Sequence, residues 1–197
     1  GKAVIQWLIR LETTSLTEDV LFCLAFGFGC LSLLTLGIGL MGGLYPWIFY
    51  SLLGGIIIWG QRLFFPFSPQ RVHFPPLFIS LPIALILFLL FILVLVPTMT
   101  YDSLVYHLAV PAKYIQAHGI HYIPYICFSN YSLNMEMLFT MGLLLVGDTL
   151  AKFIHLTFGL LSGVGIFCMA RRYFGQKAAE FSLLIFFSVP LACFIMV

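Results

Sequence analysis

The chain has 197 residues, of which 62% are hydrophobic and only 8% charged, and its formal net charge is +2. A soluble domain carries about 25% charged residues, so this is no soluble enzyme, and so small a net charge gives no case for a nucleic-acid partner. Mean hydropathy is +1.10, and runs of about 20 apolar residues, the length that crosses a bilayer core, recur along the sequence. The predicted class is all-α: a polytopic transmembrane helical bundle.

Residues 1–18 read as a polar, amphipathic tail, with Ser15 and Glu18 in capping-box spacing before the first apolar run. Five spans are predicted, roughly 20–41, 44–60, 77–97, 150–170 and 178–197. The first apolar run starts too late and is too long for a cleaved signal peptide. The sequence begins at Gly1 and stops inside an apolar run at Val197, which reads as the N-terminal part of a longer protein. Two regions follow: 1–76, the tail with two extra helices, and 77–197. Of the five cysteines, only Cys127 falls in a polar loop; the other four lie in apolar runs, where cysteine packs as a small hydrophobe. No disulfide framework or zinc spacing results.

Orientation follows from Lys and Arg near the span ends. Lys2 and Arg10, then Arg62 and Arg71, then Arg171, Arg172 and Lys177 all lie on one side if the N-terminus is cytoplasmic and 98–131 is external. The apolar stretch 132–146 is marginal for a span. Crossing there would also strand Arg171 and Arg172 on the wrong side. Residues 98–148 therefore read as one external segment with two interfacial helices, and Lys152, near the outer surface, as a residue that snorkels.

Within that segment 102–118 reads as helix, with Asp102 and Tyr106 on one face at i and i+4. Lys113 lies further along it, Pro111 is expected to kink it, and Gly119 to end it. Ile123-Pro124-Tyr125 reads as extended, and Ser129 or Asn130 as the cap of the next helix. Asp102 is the residue of most interest: an acid at a membrane face that acts as a general base or holds a hard cation such as a divalent metal, or simply favours a helix N-terminus. Glu136, in an apolar stretch, either has a partner or faces a cavity, or points to water. The His118/His121 spacing could bind metal, but these two and His107 more simply are scattered interfacial histidines. The tyrosines 106, 122, 125 and 131 fit an aromatic belt. Lys113 could meet a lipid phosphate. Gly39-x-x-x-Gly43 and Gly159-x-x-x-Gly163 suggest close intramolecular packing.

The order of an apolar span, Asp102, Tyr106, Gly119, Pro124 and an apolar stretch ending at Gly147 resembles the N-terminal region of the GT-C membrane glycosyltransferases. The likeness is to the protein-mannosyltransferase-like and aminoarabinose-transferase-like, phospholipid-carrier-dependent branch. Arg171-Arg172-Tyr173-Phe174-Gly175 adds to it, and it covers roughly 77–197. The resemblance implies a GT-C-like fold and transfer of a sugar from a polyprenyl-phosphate donor to a lipid, glycan or protein acceptor. The implied setting is the outer face of a bacterial plasma membrane. It also implies Asp102 as the acid/base, with a divalent metal as its one candidate cofactor, Glu136 as a second carboxylate, and Tyr106, His107, Lys113 and Asn130 facing substrate. The sequence departs where related enzymes carry a second acid: Asn130-Tyr131-Ser132 stands there, and Glu136 comes one to two turns later. The alternative reading is a non-catalytic membrane protein, a transporter component or a scaffold with a degenerate GT-C fold.

Overall fold

The computed structural model describes residues 15–61, 76–98, 100–130, 133–190 and 193. The expectations for the tail before Ser15, for Arg62 and Arg71, for Tyr131 and for the end of the fifth span fall outside these residues. The described residues are 83% helical, with no strand among them. The helices are α1 (Leu16–Leu40), α2 (Pro46–Gln61), α3 (Leu77–Leu95), α4 (Ala109–Gln116), α5 (Asn134–Leu145), α6 (Asp148–Phe174) and α7 (Gln176–Ser188). A π-turn (Ser103–His107) precedes α4 and a 3₁₀ turn (Cys127–Asn130) precedes α5. Among the described residues three helices, α1, α3 and α6, are long and apolar enough to cross a membrane, and α2, at the second expected span, is one of the shorter apolar helices. None of the five cysteines forms a disulfide.

The chain forms two compact units, one of residues 1–30, 71–96 and 152–197, the other of 31–70 and 97–151. In the first, the N-terminal half of the predicted capping box is present, with the Glu18 N–H donating to Ser15 Oγ at 3.3 Å. Leu90 and Val94 of α3 pack with Leu156 of α6 and Phe187 of α7. Lipid is as apolar as these side chains, so close fit rather than water exclusion holds them. Gly163 provides that fit: a Cβ there would sit 3.0 Å from the Phe187 ring. Leu81, Leu85 and Phe88 of α3 are exposed, as lipid-facing residues must be. Gly175, at φ +89°, lets the chain leave α6 and start α7 at once. Lys152 does not snorkel. It is buried, and its ammonium donates to the carbonyl of Val96, the residue that caps α3.

The second unit is held by main chain as much as by side chains. The Ile120 N–H donates to the Gly39 carbonyl at 2.9 Å, and the Leu44 N–H to the His118 carbonyl at 3.1 Å, so the turn after α1 and the loop after α4 form a two-bond clasp. The α4 terminus is a Schellman motif: Gly119 N–H to Tyr114 O at 3.0 Å and His118 N–H to Ile115 O at 3.0 Å. Its left-handed residue is His118, at φ +53°, not Gly119 as expected. The strain of such a residue, about 1 kcal/mol, is offset by stacking of the His118 ring on Tyr45, 4.1 Å away, and by its Nδ1 on the Leu44 carbonyl at 3.2 Å. Gly119 is needed for clearance instead, since a Cβ would lie 3.3 Å from the Gly39 carbonyl oxygen.

Gly39 serves this clasp, not a helix pair. A Cβ there would lie 2.6 Å from Ile120 Cδ1. Gly39→Ala should therefore destabilise the protein by about 1–2 kcal/mol, and Ile120→Ala should remove most of that penalty. A double-mutant cycle by chemical unfolding checks this; additive losses would mean the two residues do not touch.

Helix α5 is enclosed by protein: Glu136 through Gly142 are all buried, right around the helix. Its ends are tied to α1 and α2. The hydroxyl of Ser32, itself buried, donates to Asn134 Oδ1 at 2.6 Å, and Tyr50 donates its hydroxyl to the Leu145 carbonyl at 3.1 Å. The Glu136 carboxyl group is thereby placed inside protein.

Candidate functional site

The polar segment starts at Tyr101, and Asp102 is already helical, at φ −62° and ψ −41°, with no capping hydrogen bond from its side chain. As the second residue of this helical segment it makes no cap bond but lies where the helix dipole favours an acid. A π-turn follows, closed by the Leu108 N–H donating to the Ser103 carbonyl at 2.9 Å. Proline has no N–H for the carbonyl four residues back, here that of His107, which disrupts a regular helix at this junction. Pro111 itself sits at the third position of α4, where a missing N–H costs nothing. The irregularity expected at Pro111 therefore falls before it. Such π-turns are frequent at functional sites.

This turn, the 3₁₀ turn and α5 bring four of the expected residues together. Asp102 is exposed and Tyr106 half-buried. The Tyr106 ring stacks on Phe128, 4.6 Å away, and lies 3.9 Å from the His107 ring. His107 places Nδ1 2.8 Å from Oε1 of Glu136. Glu136 is 6% exposed, so the reading in which it points to water is corrected. It lies in the first turn of α5, where the helix dipole favours a negative charge. The edge of His107 meets Phe139 at 6.2 Å, and Thr140 donates its hydroxyl to the Glu136 carbonyl at 2.7 Å.

Burial, then the negative charges of Asp102 and Glu136, push the Tyr106 hydroxyl above its ordinary pKa. Burial and Glu136 do the same to Tyr114, which is buried on α4. A raised phenol loses its proton less readily folded than unfolded. Its contribution to stability is thus complete below about pH 10 and is lost as pH rises through the folded value. Asp102→Asn should lower the Tyr106 titration midpoint, read as phenolate absorbance against a Tyr106→Phe reference. An unchanged midpoint would place Asp102 too far from the hydroxyl to act with it.

The other expected residues stand apart. Lys113 is half-buried on α4, with no hydrogen bond or ion pair to the cluster among the described residues. Asn130 closes the 3₁₀ turn, and its side chain lies outside the described residues. Ser129 caps nothing on α5: its hydroxyl turns back to the Ile126 carbonyl at 2.7 Å, and the α5 cap position is Leu133, with no side-chain hydrogen bond. His118 and His121 each bond a backbone carbonyl. Among the described residues no three His, Cys, Asp or Glu side chains gather as a metal cage requires. Phe128, Tyr114 and Phe139 were not singled out in the sequence; as apolar or belt residues they carried no signal of a site.

No protein-family model, curated protein or solved structure matches this chain.

Proposed function

We propose that this chain is part of an integral membrane glycosyltransferase with a GT-C-like fold. It transfers a sugar from a polyprenyl-phosphate donor to a lipid, glycan or protein hydroxyl at the outer face of a bacterial plasma membrane. The observation that carries the reading is the buried Glu136 bonded to His107, next to the Tyr106–Phe128 aromatic pair and one turn from the exposed Asp102, in the polar segment that follows a span. Two carboxyl groups in contrasting environments are a common basis for acid/base chemistry. Asp102, at the open side, is the acid that meets the acceptor hydroxyl. Tyr106 shapes the pocket with Phe128, and Lys113 lies along α4 for the donor phosphate.

The test uses the full-length protein in proteoliposomes with a panel of polyprenyl-phosphate sugars and an extract of envelope lipids and glycans. Protein-dependent loss of sugar from one donor, with a new glycosylated product, supports the reading. No loss from any donor, or labelling of a Ser103→Cys variant only from the cytoplasmic side, refutes it. The second reading, a non-catalytic membrane scaffold, is favoured by the Glu136–His107 bond, which also serves as a staple between the π-turn and α5.

A further inference from the structure

We propose that His107 is the proton acceptor of this site and that Glu136 is its positioning residue, not a second reacting carboxylate. This rests on the glycosyl-transfer reading and deepens it. Glu136 is buried and its carboxylate offers only acceptor oxygens, so the contact at 2.8 Å requires Nδ1–H of His107 as donor. That fixes the tautomer and leaves the lone pair on Nε2, at the other side of the ring. Among the described residues nothing bonds Nε2, and 35% of the His107 side chain remains exposed, so it is open to a reactant. The ring cannot swing: Tyr106 lies against it at 3.9 Å and Phe139 meets its edge.

The π-turn supplies the alignment. In an α-helix, residue i+5 is about 140° round the axis from residue i, and His107 would face away from Asp102. In a turn closed by an i→i+5 bond, roughly one more residue is taken per turn, so His107 returns toward the side of Asp102. The acceptor O–H donates to Nε2, and the exposed carboxylate of Asp102, on the same side, favours the imidazolium that forms. The acceptor O–H proton passes to Nε2 as its oxygen forms a bond to the anomeric carbon. The bond from that carbon to the phosphate oxygen breaks, and its electron pair leaves with the lipid phosphate. The imidazolium then returns its proton to water.

Two measurements on the full-length protein in nanodiscs decide this. The first is ¹⁵N NMR of histidine-labelled protein, assigned with His107→Gln. A protonated Nδ1 and bare Nε2 are expected at neutral pH, and Glu136→Gln should bring in the opposite tautomer. A wild-type spectrum with Nε2 protonated and Nδ1 bare overturns the proposal. The second is turnover of whichever polyprenyl-phosphate sugar is active. His107→Gln should lower kcat about 100-fold or more with donor KM little changed. Glu136→Gln should shift the pH profile of kcat, and Glu136→Asp should restore much of it. The titratable groups on the elements packed here are Asp102 and Tyr106 on its own turn, Lys113 and Tyr114 on α4 and Glu136 on α5, and Tyr114→Phe serves as the control that leaves the profile in place. Full turnover by His107→Gln, with Asp102→Asn inactive, makes Asp102 the base and overturns the proposal. A folded wild-type protein that transfers no sugar removes the glycosyltransferase reading and the catalytic role with it, while the tautomer spectrum still decides whether the imidazole is held as a base.

Discussion

Asp102→Asn is expected to slow sugar transfer about 10²- to 10⁴-fold, the range contributed by a positioned acid/base group, with little change in stability. The asparagine keeps the size of the side chain but loses the negative charge that favours the imidazolium formed as the proton is taken. Stability should hold within about 0.5 kcal/mol, because Asp102 is exposed and caps no helix. The comparison is the transfer rate in proteoliposomes against the unfolding midpoint of the same preparation. A loss of both would make Asp102 a structural residue, and an unchanged rate would remove it from the chemistry. Asp102→Glu, which keeps the charge but moves it by a methylene, should fall between wild type and the asparagine variant.

Lys152→Met should destabilise the protein by about 2 kcal/mol. The last carbonyls of a helix lack partners within it, and at the end of α3 one of them, that of Val96, takes the Lys152 ammonium. A hydrogen bond from a charged donor contributes about 1.5–3 kcal/mol, and a cation at a helix C-terminus adds to it. The desolvation of a buried ammonium opposes both. Methionine keeps the apolar stem and removes the donor, so the carbonyl is left unsatisfied. Lys152→Ala should cost more, since the stem goes too, and Lys152→Glu most of all. Equilibrium unfolding in mixed micelles measures the series; a methionine variant as stable as wild type would show that the bond and the desolvation cost cancel.

The long apolar helices were legible because their signal is composition over 20 residues, which no tertiary contact can reverse. Shorter elements were less readable: sequence cannot show that neighbours enclose α5 from Glu136 through Gly142. In the site, Asp102 and Tyr106 were found through helical spacing. The His107–Glu136 bond was not, because residues 29 apart share no periodicity and only the fold decides that they meet. Lys152 was misread for the same reason: a lone lysine near a span end looks the same whether water or a helix terminus receives it. His118 took the place expected of Gly119 because a stacking partner, invisible in sequence, repaid its strained backbone.

The π-turn holds one residue more than an α-helix of the same rise would need. It is therefore an insertion that the chain has absorbed without breaking its helix, and a deletion could remove it. Taking out Leu104, which is exposed, would let 101–107 rewind as ordinary α-helix with its hydrogen bonds complete. Asp102 and His107 would then stand four residues apart on a regular helix and still share a face, with His107 bonded to Glu136 as before. Such a shortened chain would keep its acid and its imidazole on one side, so it separates what the wide turn itself contributes from what the alignment of the two residues contributes.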